Sequence, residues 1–302
     1  MKILIYGVGG IGGFLGSFLK KTDHDISFIS RGNSLKKFKN NGLKLFSDIE
    51  DLHFKSINIS EKISYNRSFD IVILAVKLYD FEKSINDIKD YIDDQTIILP
   101  FQNGIFAEEI IKKKKIVDNT FGAVAQISVF LDDAASVIHK GKLATFFIGN
   151  LNEKPLSTKL KEFLNDCKQV GLDVRYTKKI TEKLWDKFIF LSAYSGLTTM
   201  TELSIGQIFK NFKYEKMFIE AMQETLLLSK KFGVRFDYNP VDIWREKITN
   251  MPYDMTSSMY LDFKNKKKLE LNWLSGFVVK NLKKFGIESI IHEKIVSSII
   301  SK

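Results

Sequence analysis

The run Gly7-Val8-Gly9-Gly10-Ile11-Gly12 constrains this chain more than any other segment. It follows a short apolar run, Lys2–Tyr6, and opens the stretch Gly10–Lys21. There Ile11, Phe14, Leu15, Phe18 and Leu19 recur at helical spacing. A buried strand that turns through G-x-G-x-x-G into an amphipathic helix is the first unit of a parallel α/β sheet. The first glycine permits the tight turn, the second lets a pyrophosphate approach the backbone, and the third lets helix pack on strand. The helix N-terminus adds free N–H groups and a positive dipole end. Gly7, Val8, Gly9, Gly10, Ile11 and Gly12 are therefore the candidate cofactor-phosphate residues.

The rest of the first half continues the alternation. Asp25–Ser30 reads as a second strand, Asp70–Val76 as a strand buried on both faces, and Thr96–Pro100 as another. Further strand-like segments fall at 122–130, 137–139, 145–149 and 173–177, with a helix over 156–167. Beyond about residue 179 the texture becomes helical, with periodic stretches at 180–197, 208–232, 240–249, 255–283 and 287–301. The expected architecture is α/β: an N-terminal Rossmann-type doubly wound sheet over residues 1–178, then a C-terminal all-helical domain over 179–302 that carries substrate binding and catalysis.

The end of the second strand bears on which dinucleotide fits. A carboxylate there would hold a ribose 2′-hydroxyl. The segment Phe28-Ile29-Ser30-Arg31-Gly32 has none and offers Ser30 and Arg31 instead. Lys77, at the end of the Asp70–Val76 strand, adds a second cation. Arg31 and Lys77 together suit a 2′-phosphate, so NADP(H) is the expected cofactor.

Bulk properties narrow the rest. The net charge of +10 is spread along the chain, and its densest clusters, Lys112–Lys115 and Lys264–Lys268, lack a base-stacking pattern. They read as solvated faces, and no nucleic-acid partner is expected. No apolar run reaches the roughly 18 residues of a membrane span, and the N-terminus lacks the pattern of a secretory signal. Cys167 is the sole cysteine, so an intrachain disulfide is impossible, and the four histidines are too dispersed to share a metal. The expectations are a cytoplasmic protein, no membrane partner and no metal.

With these residues in view, the chain resembles the ketopantoate reductase family along nearly its whole length. The resemblance is carried by KILIYGVGGIGG, ISRG, LAVKLYD, LPFQNGI, KLWDKF and, later, Ser258-Met259 followed by LELNWLSGF. It implies hydride transfer from NADPH to the carbonyl of a 2-keto acid. Hydride arriving at carbonyl carbon leaves negative charge on oxygen, which a nearby cationic acid stabilises and protonates. Lys187 matches the family's general-acid lysine, with Lys183 a nearby alternative that fits the motif less well. Glu270 matches the glutamate that accepts hydrogen bonds from the substrate hydroxyl. Ser258 matches the serine that holds the substrate carboxylate, although Ser257 could take that place by a one-residue slip. Asn103, in the QNG turn, would contact both cofactor and substrate.

The chain also departs from the pattern. Where the family's lysine-bearing helix usually presents two asparagines, this one has Leu191 and Ser195, and Gly196 replaces the following proline. Ser195 keeps a hydroxyl for the substrate, whereas Leu191 cannot hydrogen-bond through its side chain. The choice of 2-keto acid therefore stays open beside ketopantoate, and so does a non-catalytic NADP-binding regulatory role. The resemblance leaves a homodimer open.

Overall fold

The computed structural model describes residues 1–64, 68–114, 121–152 and 155–302. These residues divide into two compact units, Met1–Gln102 with Phe106–Ile180, and Asn103–Ile105 with Thr181–Lys302.

In the first unit the elements run β1 (Lys2–Tyr6), α1 (Gly10–Leu19), β2 (Asp25–Ile29), α2 (Gly32–Asn41), β3 (Leu43–Ser47), β4 (Leu52–Phe54), β5 (Asn58–Ser60), β6 (Ile71–Leu74), α3 (Leu78–Ile88), β7 (Ile97–Pro100), α4 (Phe106–Lys114), β8 (Phe121–Leu131), β9 (Val137–Asn150), α5 (Thr158–Gln169) and β10 (Asp173–Tyr176). One sheet is parallel throughout in the order β5-β2-β1-β6-β7, which puts the glycine turn after its central strand. β1, β6 and β7 are almost wholly buried because apolar side chains point to both faces. Leu4, Val72 and Ile98 meet Phe81 and Ile85 of α3 and Ile111 of α4 on one face. On the other face Ile3, Ile5, Ile71 and Leu99 join Phe14 and Phe18 of α1. The doubly wound expectation holds.

A second, mixed sheet, β10-β9-β3-β4 with β8 antiparallel to β9, shares this core with α1. The strand-like segments 137–139 and 145–149 are two ends of the one strand β9, which runs unbroken past Gly141. Lys112, Lys113 and Lys114 are exposed at the end of α4, as a solvated charge run requires; Lys115 lies outside the described residues.

The second unit is helical: α6 (Ile180–Thr201), α7 (Ile205–Phe209), α8 (Phe212–Lys231), α9 (Pro240–Thr249), α10 (Ser258–Lys264), α11 (Ser275–Lys284) and α12 (Ile290–Ile300). Two stretches that read as single helices are broken. Asn211 interrupts 208–232, accepting the backbone N–H of Lys213 and Tyr214 as the cap of α8. Helix 255–283 stops at Lys264; Lys266 then takes φ 53°, and a short 3₁₀ turn, Leu271–Trp273, precedes α11. Gly196 has a packing reason. A Cβ there would meet Ile295 Cγ2 at 2.9 Å and Ser275 Oγ at 3.0 Å, so glycine lets α11 and α12 press close to α6. Among the described residues no helix is long and apolar enough to cross a membrane.

Candidate active-site residues

In the first unit, the candidate cofactor residues gather at the carboxyl end of the parallel sheet. Gly7 takes φ 102°, a left-handed conformation open to glycine, and its N–H donates to Ile29 O at 2.9 Å. A Cβ on Gly12 would fall 2.0 Å from Gly7 O, so this glycine is fixed by packing within the turn. Gly9, the N-cap of α1, differs: a Cβ there would meet only Ala75 O, at 4.0 Å. Its space is open and lies before the N-terminus of a ten-residue helix, which fits a pyrophosphate. Gly10 packs under β8, where a Cβ would collide with Val129 O at 2.6 Å. Val8 is buried and Ile11 half-buried.

Arg31 caps α2 after β2, and Lys77 caps α3 beyond β6. These strands flank β1 on either side, so both cations stand at the edge that carries the glycine turn. Arg31 Nη2 donates to Tyr6 Oη at 2.5 Å and lies 3.5 Å from Asp87 Oδ2. Tyr6 Oη in turn donates to Asp87 Oδ2 at 2.5 Å, and Lys83 Nζ reaches the same oxygen at 2.8 Å. Burial, with the Asp87 carboxylate beside it, pushes the Tyr6 hydroxyl up to about 12. Tyr6 and Asp87 had no sequence signal, being 81 residues apart and each unremarkable alone.

In the second unit, Lys187 lies one turn into the buried part of α6. Its Nζ donates to Asn103 Oδ1 at 3.1 Å. The sequence-predicted acid and the QNG asparagine, 84 residues apart, are thus brought together. Gly104, with φ 86°, gives the turn its shape, and a Cβ there would touch Phe188 and Leu274 at 3.5 and 3.6 Å. Beyond Lys187, at i+3 and i+7, α6 is held by aromatic stacking. Phe190 lies 4.3 Å from the Trp244 ring and 5.0 Å from Tyr194, both nearly parallel, and Trp244 Nε1 donates to the Asp186 carbonyl at 2.9 Å. Such packing fixes the rotation of α6 and hence the direction of Lys187.

Leu191 follows Lys187 by one turn and is half-buried, while Ser195 is 2% exposed. Glu270 is buried at the start of the 3₁₀ turn, its carbonyl accepting from Trp273 N at 3.0 Å. The two serines separate clearly. Ser257 Oγ accepts from Tyr260 N to cap α10 and meets Thr198 Oγ1 at 2.7 Å, and Thr198 Oγ1 donates to Tyr194 O. The single Ser257 hydroxyl proton therefore goes to Thr198, leaving none to offer a carboxylate. Ser258, the first residue of α10, is exposed.

A glycine-turn α/β unit joined to a helical unit that pairs a lysine with an amide defines the class: a dinucleotide-binding fold with an attached helical domain. Within it, this chain belongs to the ketopantoate reductase PanE/ApbA family, whose models match residues 3–153 and, for the C-terminal part, 179–302. It is an oxidoreductase of that family. Among its relatives is the uncharacterised oxidoreductase YkpB of Bacillus subtilis, 26% identical over 99% of this chain and 98% of that protein. The 2-dehydropantoate 2-reductase of Pyrococcus horikoshii is 26% identical over 96% of this chain and 93% of its own length. A D-mandelate dehydrogenase solved with NADH and anilino(oxo)acetate has the same fold, with a TM-score of 0.88 at 21% identity over 100% of this chain and 97% of that one.

Proposed function

We propose that this chain is a cytoplasmic NADPH-dependent 2-dehydropantoate 2-reductase, reducing ketopantoate to pantoate for pantothenate and coenzyme A synthesis. The observation that carries the reading is the Lys187 ammonium 3.1 Å from Asn103 Oδ1, a charged donor aimed by a fixed acceptor. Family membership and the glycine turn support it, as does Arg31 in place of a carboxylate after β2.

Bound NADPH supplies a hydride from the nicotinamide C4. The chain's own work is electrostatic and positional. The pyrophosphate is held by the turn from Gly7 to Gly12, and the ribose 2′-phosphate by Arg31 and Lys77. Lys187 stabilises the oxyanion that develops at the substrate's C2 and gives it a proton. Asn103 fixes the direction of that ammonium. Glu270 accepts a hydrogen bond from the substrate hydroxyl, and Ser258 meets the carboxylate, since the Ser257 hydroxyl is already committed. Ser195 contributes a short hydroxyl from α6.

The direct test is NADPH oxidation with ketopantoate, with NADH as the parallel donor. NADPH-preferring turnover is expected; its absence with cofactor binding intact would refute ketopantoate as substrate. Leu191 favours a second reading, the same chemistry on a 2-keto acid without the 4-hydroxyl, because an apolar side chain stands one turn from the acid. A panel of aliphatic and aromatic 2-keto acids separates the two.

A further inference from the structure

We propose that Tyr6 and Asp87 form a positioning relay that sets Arg31 to read the 2′-phosphate of the dinucleotide; the inference rests on the reading that the cofactor is NADPH. Tyr6 is the last residue of β1, directly before the phosphate turn, and its ring is 2% exposed and held by the core beneath it. Its hydroxyl hydrogen goes to Asp87 Oδ2 at 2.5 Å. The oxygen lone pairs are thereby left for Arg31 Nη2, also at 2.5 Å. A carboxylate that takes the phenol's proton in a hydrogen bond makes the phenol oxygen a better acceptor for a guanidinium. With its proton bound well above neutral pH, Tyr6 stays a donor to Asp87 and never becomes an anion competing for the arginine.

The relay leaves Arg31 usable. A guanidinium carries five N–H donors, and the contacts described occupy Nη2 alone. The Arg31 side chain is 34% exposed, so an edge of the fork faces solvent where a phosphate can meet it. Lys83 at 2.8 Å offsets the charge of Asp87, which weakens its repulsion of an incoming phosphate. The carboxylate that NAD-binding proteins place at the end of β2 comes here from α3 and is turned, through a phenol, onto the arginine. An arginine already held needs less ordering when the ligand arrives.

Affinities of the full-length protein for 2′,5′-ADP and 5′-AMP, measured by calorimetry, isolate this end of the site from the chemistry. The parent is expected to prefer 2′,5′-ADP. Tyr6→Phe, which removes only the hydroxyl, should cut that preference about three- to tenfold through 2′,5′-ADP alone, the size of one unheld flexible side chain. In an Arg31→Ala background the same substitution should change nothing. Asp87→Ser approaches the relay from its exposed end: preference should fall, although losing a negative charge by itself would strengthen phosphate binding. Unchanged preference in Tyr6→Phe, equal weakening of both nucleotides, an effect that persists without Arg31, or a rise in Asp87→Ser would each overturn the relay. A parent indifferent to the 2′-phosphate would instead overturn the NADPH reading beneath it.

Discussion

Replacing Gly9 and, separately, Gly12 by alanine separates binding from folding in the phosphate turn. At Gly9 the backbone has φ −88° and ψ −160°, allowed for any residue, and a Cβ meets nothing nearer than Ala75 O at 4.0 Å. Gly9→Ala should therefore leave stability within about 1 kcal/mol of the parent, and could raise it by restricting the unfolded chain. The methyl group would occupy the space a pyrophosphate needs. Loss of one hydrogen bond to a charged group, at about 1.5–3 kcal/mol, corresponds to roughly ten- to a hundredfold weaker NADPH binding. At Gly12 the methyl would fall 2.0 Å from Gly7 O and 3.2 Å from Ala75 Cβ, so the turn must open. Overpacking of that kind costs about 1–3 kcal/mol, and Gly12→Ala should lose both cofactor affinity and several degrees of melting temperature. Thermal melts without ligand and NADPH fluorescence titrations read the two quantities independently. Gly9→Ala binding NADPH as tightly as the parent would refute the assignment of that open space to phosphate.

Lys187→Ala should lower kcat/KM by about 10²–10⁴ while NADPH still binds, checked by steady-state kinetics beside fluorescence titration. Leu191→Asn should restore an amide facing the substrate and raise kcat/KM for a hydroxylated 2-keto acid relative to an unhydroxylated one; an unchanged ratio would remove Leu191 from substrate selection. His292, fully buried with Nε2 3.0 Å from both Thr225 Oγ1 and Ala221 O, is held by desolvation below its ordinary value of 6.5. Its depressed folded-state affinity for protons makes its contribution complete above 6.5 and lost as pH falls below it, at up to about 1.4 kcal/mol per pH unit. Denaturant melts from pH 7.5 to 5 should show that slope, and His292→Gln should flatten it.

The sequence was most informative where burial is most complete. β1, β6 and β7 are short all-apolar runs because both faces of the parallel sheet are covered, and a continuous run is the signature of that environment. The segment from 43 to 60 gave no such signal. β4 and β5 are three residues each and only half-buried, so neither a run nor an alternation can develop. The helix over 255–283 looked continuous because Leu and Phe recur on both sides of the lysine cluster. What stops it is Lys266 at positive φ, with no glycine or proline to announce the break. At the candidate site, family motifs marked Lys187 and Asn103 separately, and their pairing emerged only in the structure. No motif marked the Tyr6–Arg31–Asp87 contacts, since they join residues far apart in the chain and depend on how three elements meet.

The grouping of Asn103–Ile105 with Thr181–Lys302 limits how modular the helical unit can be. A chimaera that transplants residues from Thr181 onward onto another dinucleotide-binding half would carry Lys187 but leave behind the amide that holds it. The same cut would remove the Gly104 turn from its seat on Phe188 and Leu274. Exchange of helical units between relatives therefore needs a graft in two pieces, a three-residue loop and a C-terminal segment, chosen from the same parent.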